Sequence, residues 1–346
     1  MRFDSPSRPP LTALIPARDE AGCIATTIHS LREQSCPPDH IIVIDDGSTD
    51  GTGDIARTLG VRVLRSPGGG GSKAEALNFG LRHVNSELVL TIDADTCLET
   101  DAVERLLAAM DHPSIAAASG FVLPLHMRTI WERARYVDYL ITCWIDKPIQ
   151  SDLCALTVVS GCFAVYRTGL LRRCGGWPAG TTAEDMGLTW SLQAAGYTVR
   201  HVTGAVCYVI DPDSCQLTIR QLRRWSSGFL QNLRAHWPAI LTYPYLRSTV
   251  IVTLLSRLLD CALRFVIWPF LAIAFDPLFL LGMFITVPMD AVALLAIGLE
   301  RGEVWRALSN LPWRIMIQFL RDFVFVQAVW SELIVGRPLT AFEKGH

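Results

Sequence analysis

Two apolar runs near the carboxyl end, Thr249–Phe275 and Leu278–Leu299, constrain this chain more than any other feature of its sequence. Roughly 20 apolar residues cross a bilayer, and both runs reach that length. A backbone in lipid must satisfy its own hydrogen bonds, so such runs are expected to be helices. The link between them, Asp276-Pro277, holds no Lys or Arg, whereas the outer flanks carry Arg247, Arg301 and Arg306. The positive-inside bias predicts a hairpin with both ends in the cytosol. Arg257, Asp260 and Arg264 share one face of the first run, and charges at that depth pair or line a polar path. Further on, Pro312–Val335 sets Arg314, Gln318, Arg321, Asp322 and Glu332 against Ile315, Phe319, Phe323, Val326 and Trp330 at helical spacing. It reads as an amphipathic interface helix, with a third crossing as the alternative.

Half of the residues are hydrophobic, and the excess lies beyond about residue 235. The expected organisation is a cytosolic α/β domain over 1–235 and a membrane region over 236–346. The amino terminus, MRFDSPSRPP, has no apolar signal core, so the first domain is expected to stay in the cytosol. Ten cysteines without a Cys-x-x-Cys pair fit a reducing compartment better than a disulfide framework. A net charge of −2 lends no support to a nucleic-acid partner.

Over residues 11–111 short apolar strands alternate with helical spacing. Leu11–Pro16, Ile41–Ile44, Val61–Leu64 and Leu88–Ile92 read as strands, and Glu20–Gln34 and Lys73–Val84 as helices. That alternation predicts parallel strands joined by crossovers, and ligands of such sheets sit beyond the carboxyl ends of the strands. The unusual residues lie at those ends: Ala17-Arg18-Asp19-Glu20, Asp45-Asp46-Gly47 and Asp93-Ala94-Asp95. If the last stretch continues the strand, Asp93 and Asp95 point the same way and offer two hard oxygens to a divalent cation. The plain alternative is two solvated acids in a turn.

Gly68-Gly69-Gly70-Gly71-Ser72-Lys73 lacks the spacing of a P-loop. It is either a flexible surface loop or a mobile segment that brings Lys73 to a diphosphate. Thr157–Tyr166 reads as a buried strand, with Gly161 where a backbone is approached closely. Thr182-Ala183-Glu184-Asp185 precedes a helix, where an acid also serves as an N-cap. Gln221, Arg224 and Trp225 share a helix face; amide, guanidinium and indole there could hold a pyrophosphate and stack on a sugar.

Taken together, IPARDE at 15–20, IDDGSTD at 44–50, GGSKAEALNFGL at 70–81, DAD at 93–95, TAED at 182–185 and QLRRW at 221–225 resemble family 2 glycosyltransferases. The similarity is to the membrane-embedded branch that includes hyaluronan, chitin, cellulose and poly-N-acetylglucosamine synthases and ceramide glucosyltransferase. It implies a GT-A fold and an inverting transfer from a nucleoside-diphosphate sugar to a lipid, protein or glycan acceptor. Carried over by position, Asp46 contacts the nucleotide base, with Ala17 and Glu20 beside it. Asp93 lies near the ribose and diphosphate, Asp95 binds Mg²⁺ or Mn²⁺, and Lys73 lies near the diphosphate. Asp185, with Glu184 next to it, is the general base. Gln221, Arg224 and Trp225 close over the diphosphate and the acceptor.

The large processive synthases carry more transmembrane helices, so a single transfer stands beside polymerisation here, and protomers could pool hairpins as a homo-oligomer. Two other classes compete: a sugar nucleotidyltransferase, and a membrane scaffold that binds nucleotide-sugar without turnover.

Overall fold

The computed structural model describes residues 8–67, 69–337 and 339. Gly68 of the glycine segment lies outside them. By contact the chain forms two compact units. One holds the described parts of Met1–Phe121, Val158–Gly180 and Glu184–Val209; the other holds Val122–Thr157, Thr181–Ala183 and the described residues from Ile210 on.

The first unit is built on an eight-stranded sheet. Its strands are β1 Leu11–Ala17, β2 His40–Asp45, β3 Arg62–Arg65, β4 Leu88–Ile92, β5 Cys97–Leu98, β6 Ile115–Pro124, β7 Phe163–Arg167 and β8 Thr198–Val209, in the order β3-β2-β1-β4-β7-β6-β8-β5. β1 runs parallel to β2 (Ala13 beside Ile41) and to β4 (Leu11 beside Leu88), and β2 runs parallel to β3. The expectation of parallel pairing fails at β4, whose other neighbour, β7, is antiparallel (Leu90 opposite Val165). β6 pairs antiparallel with β7, and β5 with β8. The sheet is therefore mixed, and β4 is buried along its whole length between partners of opposite direction.

Local sequence explains the packing. Helix Ile24–Arg32 buries Ile24, Ile28 and Leu31 at helical spacing. Helix Lys73–Leu81 lies close to β2, because a Cβ at Gly80 would stand 2.6 Å from Ile44 Cδ1. The strand expected over Thr157–Tyr166 begins only at Phe163. Its first residues form a loop whose carbonyl at Cys162 accepts from Asp93 N at 3.1 Å.

The second unit is helical. Helices Ile130–Ile141, Cys215–Ala235 and Leu311–Val329 share a core of Ala134, Leu222, Ile317 and Val324. Glu132 accepts from Arg128 N and Thr129 N, each at 2.7 Å, and closes a capping box at the first of these helices. The Leu311–Val329 helix is amphipathic as expected, but its polar face turns inward. Arg314, Gln318 and Asp322 are buried, while Phe323 and Val326 face out, as does Trp330 just beyond it. Each buried group finds a partner: Arg314 with Asp138, Gln318 Nε2 with Asp290 Oδ2 at 2.9 Å, and Asp322 with Arg264. Arg264, from the face shared with Arg257 and Asp260, also lies over the Phe319 ring, 4.6 Å from its centroid. Among the described residues one helix, Pro277–Arg301, is long and apolar enough to cross a membrane.

Candidate active site

The loops after β1 and β2 are zipped together by their own side chains. Thr49 N donates to Asp19 Oδ1 at 2.8 Å, Asp19 N to Ser48 Oγ at 3.1 Å, Glu20 N to Thr52 Oγ1 at 2.8 Å and Ala21 N to Asp50 Oδ2 at 2.8 Å. The Thr52 hydroxyl, against a smaller effect of burial, holds the Asp50 carboxyl below the usual range. Asp19 and Asp50 are thus used as scaffold. Asp46 donates its N–H to Ala17 O at 2.9 Å and accepts from Gly70 N at 3.1 Å. Gly47 has φ +82°, and a Cβ on it would stand 3.0 Å from Gly69 Cα. Only glycine lets the two loops cross there. Ala17, Asp46 and the glycine segment are therefore brought together. Glu20, on the same edge, accepts the Cys23 thiol at 3.1 Å.

A second cluster gathers at the end of β4. The strand stops at Ile92, and Asp93-Ala94-Asp95 form a turn closed by Thr96 N donating to Asp93 O at 3.1 Å. The alternation of a strand therefore does not govern Asp93 and Asp95. Lys73 opens its helix directly after Ser72, whose hydroxyl accepts from Glu75 N at 3.2 Å while Glu75 Oε2 accepts from Ser72 N at 3.0 Å. The glycine segment thus ends in a capping box. Lys73 Nζ is ion-paired with Asp93, lies 4.0 Å from Glu184 Oε1, and donates to Gly161 O at 3.4 Å. Gly161 N in turn donates to Asp185 Oδ2 at 3.1 Å, and Met186 N to Asp185 Oδ1 at 2.8 Å. A Cβ at Gly161 would press on Asp185 Cβ at 3.2 Å, which explains the glycine. Burial works against the charge on Lys73, but Asp93, Glu184 and Asp185 outweigh it and hold the ammonium above the usual lysine range. Lys73 is thus a permanent cation among three acids.

Asp95 Oδ1 accepts from Thr96 Oγ1 at 3.3 Å. Asp93 and Asp95 place two hard oxygen donors on one turn, the donor type that Mg²⁺ or Mn²⁺ takes. Among the described residues no three His, Cys, Asp or Glu side chains form a metal site by themselves. An ion held at this turn would need further oxygens from water or a ligand.

Gln221, Arg224 and Trp225 belong to the second unit, on one face of helix Cys215–Ala235. Gln221 Oε1 is buried without a hydrogen-bond partner. The Trp225 ring lies against the Arg135 guanidinium, 4.6 Å from its centroid, and Tyr139 packs on the same guanidinium at 4.4 Å. Asp138 and Asp211 hold the guanidinium at 2.8 and 3.5 Å. Sequence reading missed Arg135, although an Arg three residues ahead of an Asp on an amphipathic helix is a visible signal.

Residues 12–175 match the family described as Glycosyl transferase family 2. The chain is 26% identical over 243 residues to poly-beta-1,6-N-acetyl-D-glucosamine synthase of Staphylococcus epidermidis, covering 67% of this chain and 58% of that protein. It is also 26% identical over 231 residues to the probable glycosyltransferase YdaM of Bacillus subtilis, covering 64% and 55%. The chain thus spans somewhat over half the length of these relatives. Among solved structures, a mannosyltransferase from Pyrobaculum calidifontis in complex with GDP-Man and Mn²⁺ superposes with TM-score 0.62 at 22% identity, over 94% of this chain and 88% of that one. The 1–349 portion of TarS of Staphylococcus aureus superposes with TM-score 0.52 at 15% identity, over 93% of this chain and 91% of that portion.

Proposed function

We propose that this chain is a family 2 glycosyltransferase on a GT-A fold, a reading that the match over residues 12–175 and the superposed mannosyltransferase support, and that it moves a sugar, with inversion, from a nucleoside-diphosphate donor to a hydroxyl acceptor at a membrane surface. The observation that carries the reading is the convergence of Lys73, Asp93, Glu184 and Asp185 from distant stretches of the chain. In this reading Asp46, with Ala17 and Glu20, receives the nucleotide base, and Asp93 receives the ribose and diphosphate. Lys73 neutralises charge beside the leaving diphosphate, and Arg224 and Gln221 close over it while Trp225 meets the acceptor. Asp185 takes the proton from the acceptor hydroxyl. Each of its oxygens accepts one backbone N–H, which orients the carboxylate and leaves lone pairs free for that proton. Asp95 would hold Mg²⁺ or Mn²⁺, which stabilises the departing diphosphate when bound; the mannosyltransferase structure containing Mn²⁺ supports this.

Residues 1–235 are proposed as the cytosolic catalytic part and 236–346 as the membrane region, anchored by the hairpin of Thr249–Phe275 and Leu278–Leu299. The apolar helix Pro277–Arg301 supports the anchor, as do large apolar side chains left open to the outside, among them Ile273 at 89% exposure and Phe275 at 74%. The acceptor is proposed to be a lipid or protein that receives a single sugar. A second reading, repeated addition to a glycan, draws support from the relatives that are poly-beta-1,6-N-acetyl-D-glucosamine synthases.

The test is the purified protein in lipid nanodiscs with radiolabelled UDP-Glc, UDP-GlcNAc, UDP-Gal and GDP-Man. Nucleoside-diphosphate release is followed with and without EDTA, and label is separated into lipid, protein and polymer fractions. Release with at least one donor, lost in EDTA and restored by Mn²⁺, is expected, with label in a discrete lipid or protein product. A ladder of chain lengths would replace single transfer by polymerisation. Chelator-insensitive release would remove the metal role of Asp95. No release with any donor would overturn the enzyme reading.

A further inference from the structure

Helix Cys215–Ala235 carries more than Gln221, Arg224 and Trp225 on its inner face. Gly228, Gln231 and Asn232 follow at helical spacing. At about 100° per residue all six fall in a stripe about 120° wide. The far half of this stripe grips a tripeptide. Gln231 Oε1 accepts from Thr182 N at 3.0 Å. Asn232 Nδ2 donates to Thr181 Oγ1 at 3.0 Å and to Ala183 O at 2.9 Å. Thr182 Oγ1 donates to Arg224 O at 2.9 Å, which ties the tripeptide to the near half of the stripe as well. A Cβ at Gly228 would stand 2.5 Å from Ala183 Cβ and 2.8 Å from Ala183 N, so the helix reaches the tripeptide only because this residue is glycine. On its other side Gln231 Nε2 donates to Glu332 Oε1 at 2.9 Å and to Leu339 O at 3.0 Å, and Leu339 N donates to Glu332 Oε1 at 3.0 Å.

Burial of an apolar helix face asks for none of this. Asn232 is 1% exposed, and a buried amide is tolerated only when its hydrogen bonds are met. Here the Gln231 carbonyl and the Asn232 amide nitrogen, which also donates to Gly228 O at 2.9 Å, both bond the backbone or hydroxyl of one tripeptide. That tripeptide is bonded directly to Glu184, and Asp185 is the next residue.

We propose that Gly228, Gln231 and Asn232 are positioning residues: they clamp Thr181–Ala183 to the helix that bears Gln221, Arg224 and Trp225, so that one fixture, braced from behind by Glu332 and Leu339, sets the segment from which the general base emerges. The inference rests on the function proposed above for Asp185.

Two measurements on the full chain in nanodiscs test it, using Gly228→Ala, Asn232→Ala and the double variant Gly228→Ala with Ala183→Gly. The first is hydrogen exchange over 178–190, which needs no substrate. Exchange at Thr182 and Ala183 is expected to rise at least about tenfold in both single variants and to fall part of the way back in the double variant, which removes the methyl at 2.5 Å but leaves the Ala183 N at 2.8 Å. The second is turnover with whichever donor supports it. It is expected to fall about 10- to 100-fold, because a displacement of about 1 Å costs that much, while KM for the donor stays within about threefold. A loss confined to folding would move KM, turnover and the unfolding temperature together and would not be relieved in the double variant. Unchanged exchange, or full turnover in Gly228→Ala, overturns the clamp. If the wild type turns over no donor, the proposed function falls, and exchange alone then decides the clamp.

Discussion

Replacing Asp138 by asparagine removes one negative charge from between three guanidiniums. Asp138 is 6% exposed and Arg135 1% exposed. Asp138 Oδ2 accepts from Arg135 Nη1 at 2.8 Å, Oδ1 accepts from Arg321 Nη1 at 3.0 Å, and Arg314 binds the same oxygen. Burial pushes this carboxyl up, but Arg321, Arg314 and Arg135 together outweigh it and hold it below the usual carboxylate range. Removing one partner from a buried ion cluster costs about 3–5 kcal/mol. The asparagine carbonyl keeps one acceptor, worth about 1 kcal/mol, which leaves roughly 2–4 kcal/mol. At about 2–4 °C per kcal/mol for a unit of this size, the unfolding temperature should drop by about 5–15 °C. The sign with pH follows from the depressed carboxyl. Its stabilisation is complete above the unfolded value near pH 3.9 and is lost as pH falls toward the folded value. The gap between wild type and variant should therefore be constant from about pH 8 to about pH 5 and shrink below about pH 4. Thermal unfolding in detergent, followed by circular dichroism across that range, reads both. A variant within about 0.5 kcal/mol of wild type, or a gap that widens in acid, would refute the reasoning.

Two further outcomes are expected. Asp185→Asn keeps the side-chain shape, but its single oxygen accepts from only one of Gly161 N and Met186 N, and it cannot take the acceptor's proton. Turnover should fall about 10²- to 10⁴-fold with nucleotide affinity, measured by calorimetry, little changed; intact turnover would remove Asp185 from the mechanism. In Gly120→Ala the new methyl would overlap Ala205 O and stand 2.5 Å from Phe163 Cδ1. Overpacking there should destabilise by roughly 1–3 kcal/mol, seen as a lower urea midpoint; an unchanged midpoint would mean that β6 and β8 can move apart freely.

Much of the first unit is legible from residue order. β1 to β4 and the helices among them follow from apolar runs broken by glycine, proline and acids, since periods of 2 and 3.6 are local signals. β7 between β4 and β6 is not legible that way, because pairing direction depends on how a distant segment returns to the sheet. The same limit applies to the glycine segment. Ser72 and Glu75 write its capping box plainly, but only the return of the 160–162 loop shows that Lys73 faces Asp93 and Gly161.

The amino-acid order alone determined the chemistry available: which positions carry acids, amides and guanidiniums, where strands stop, and which runs are apolar enough for lipid. Tertiary structure decided who meets whom. It turned the polar face of Leu311–Val329 inward onto Asp138 and Asp290, assigned Asp19 and Asp50 to scaffolding while Asp93 took Lys73, and set Gln231 and Asn232 on Thr181–Ala183. The physical reason is range. Propensity and hydropathy act over one or two turns of chain, whereas the partner of a buried charge or amide is chosen by the whole fold, where leaving it unpaired costs several kcal/mol.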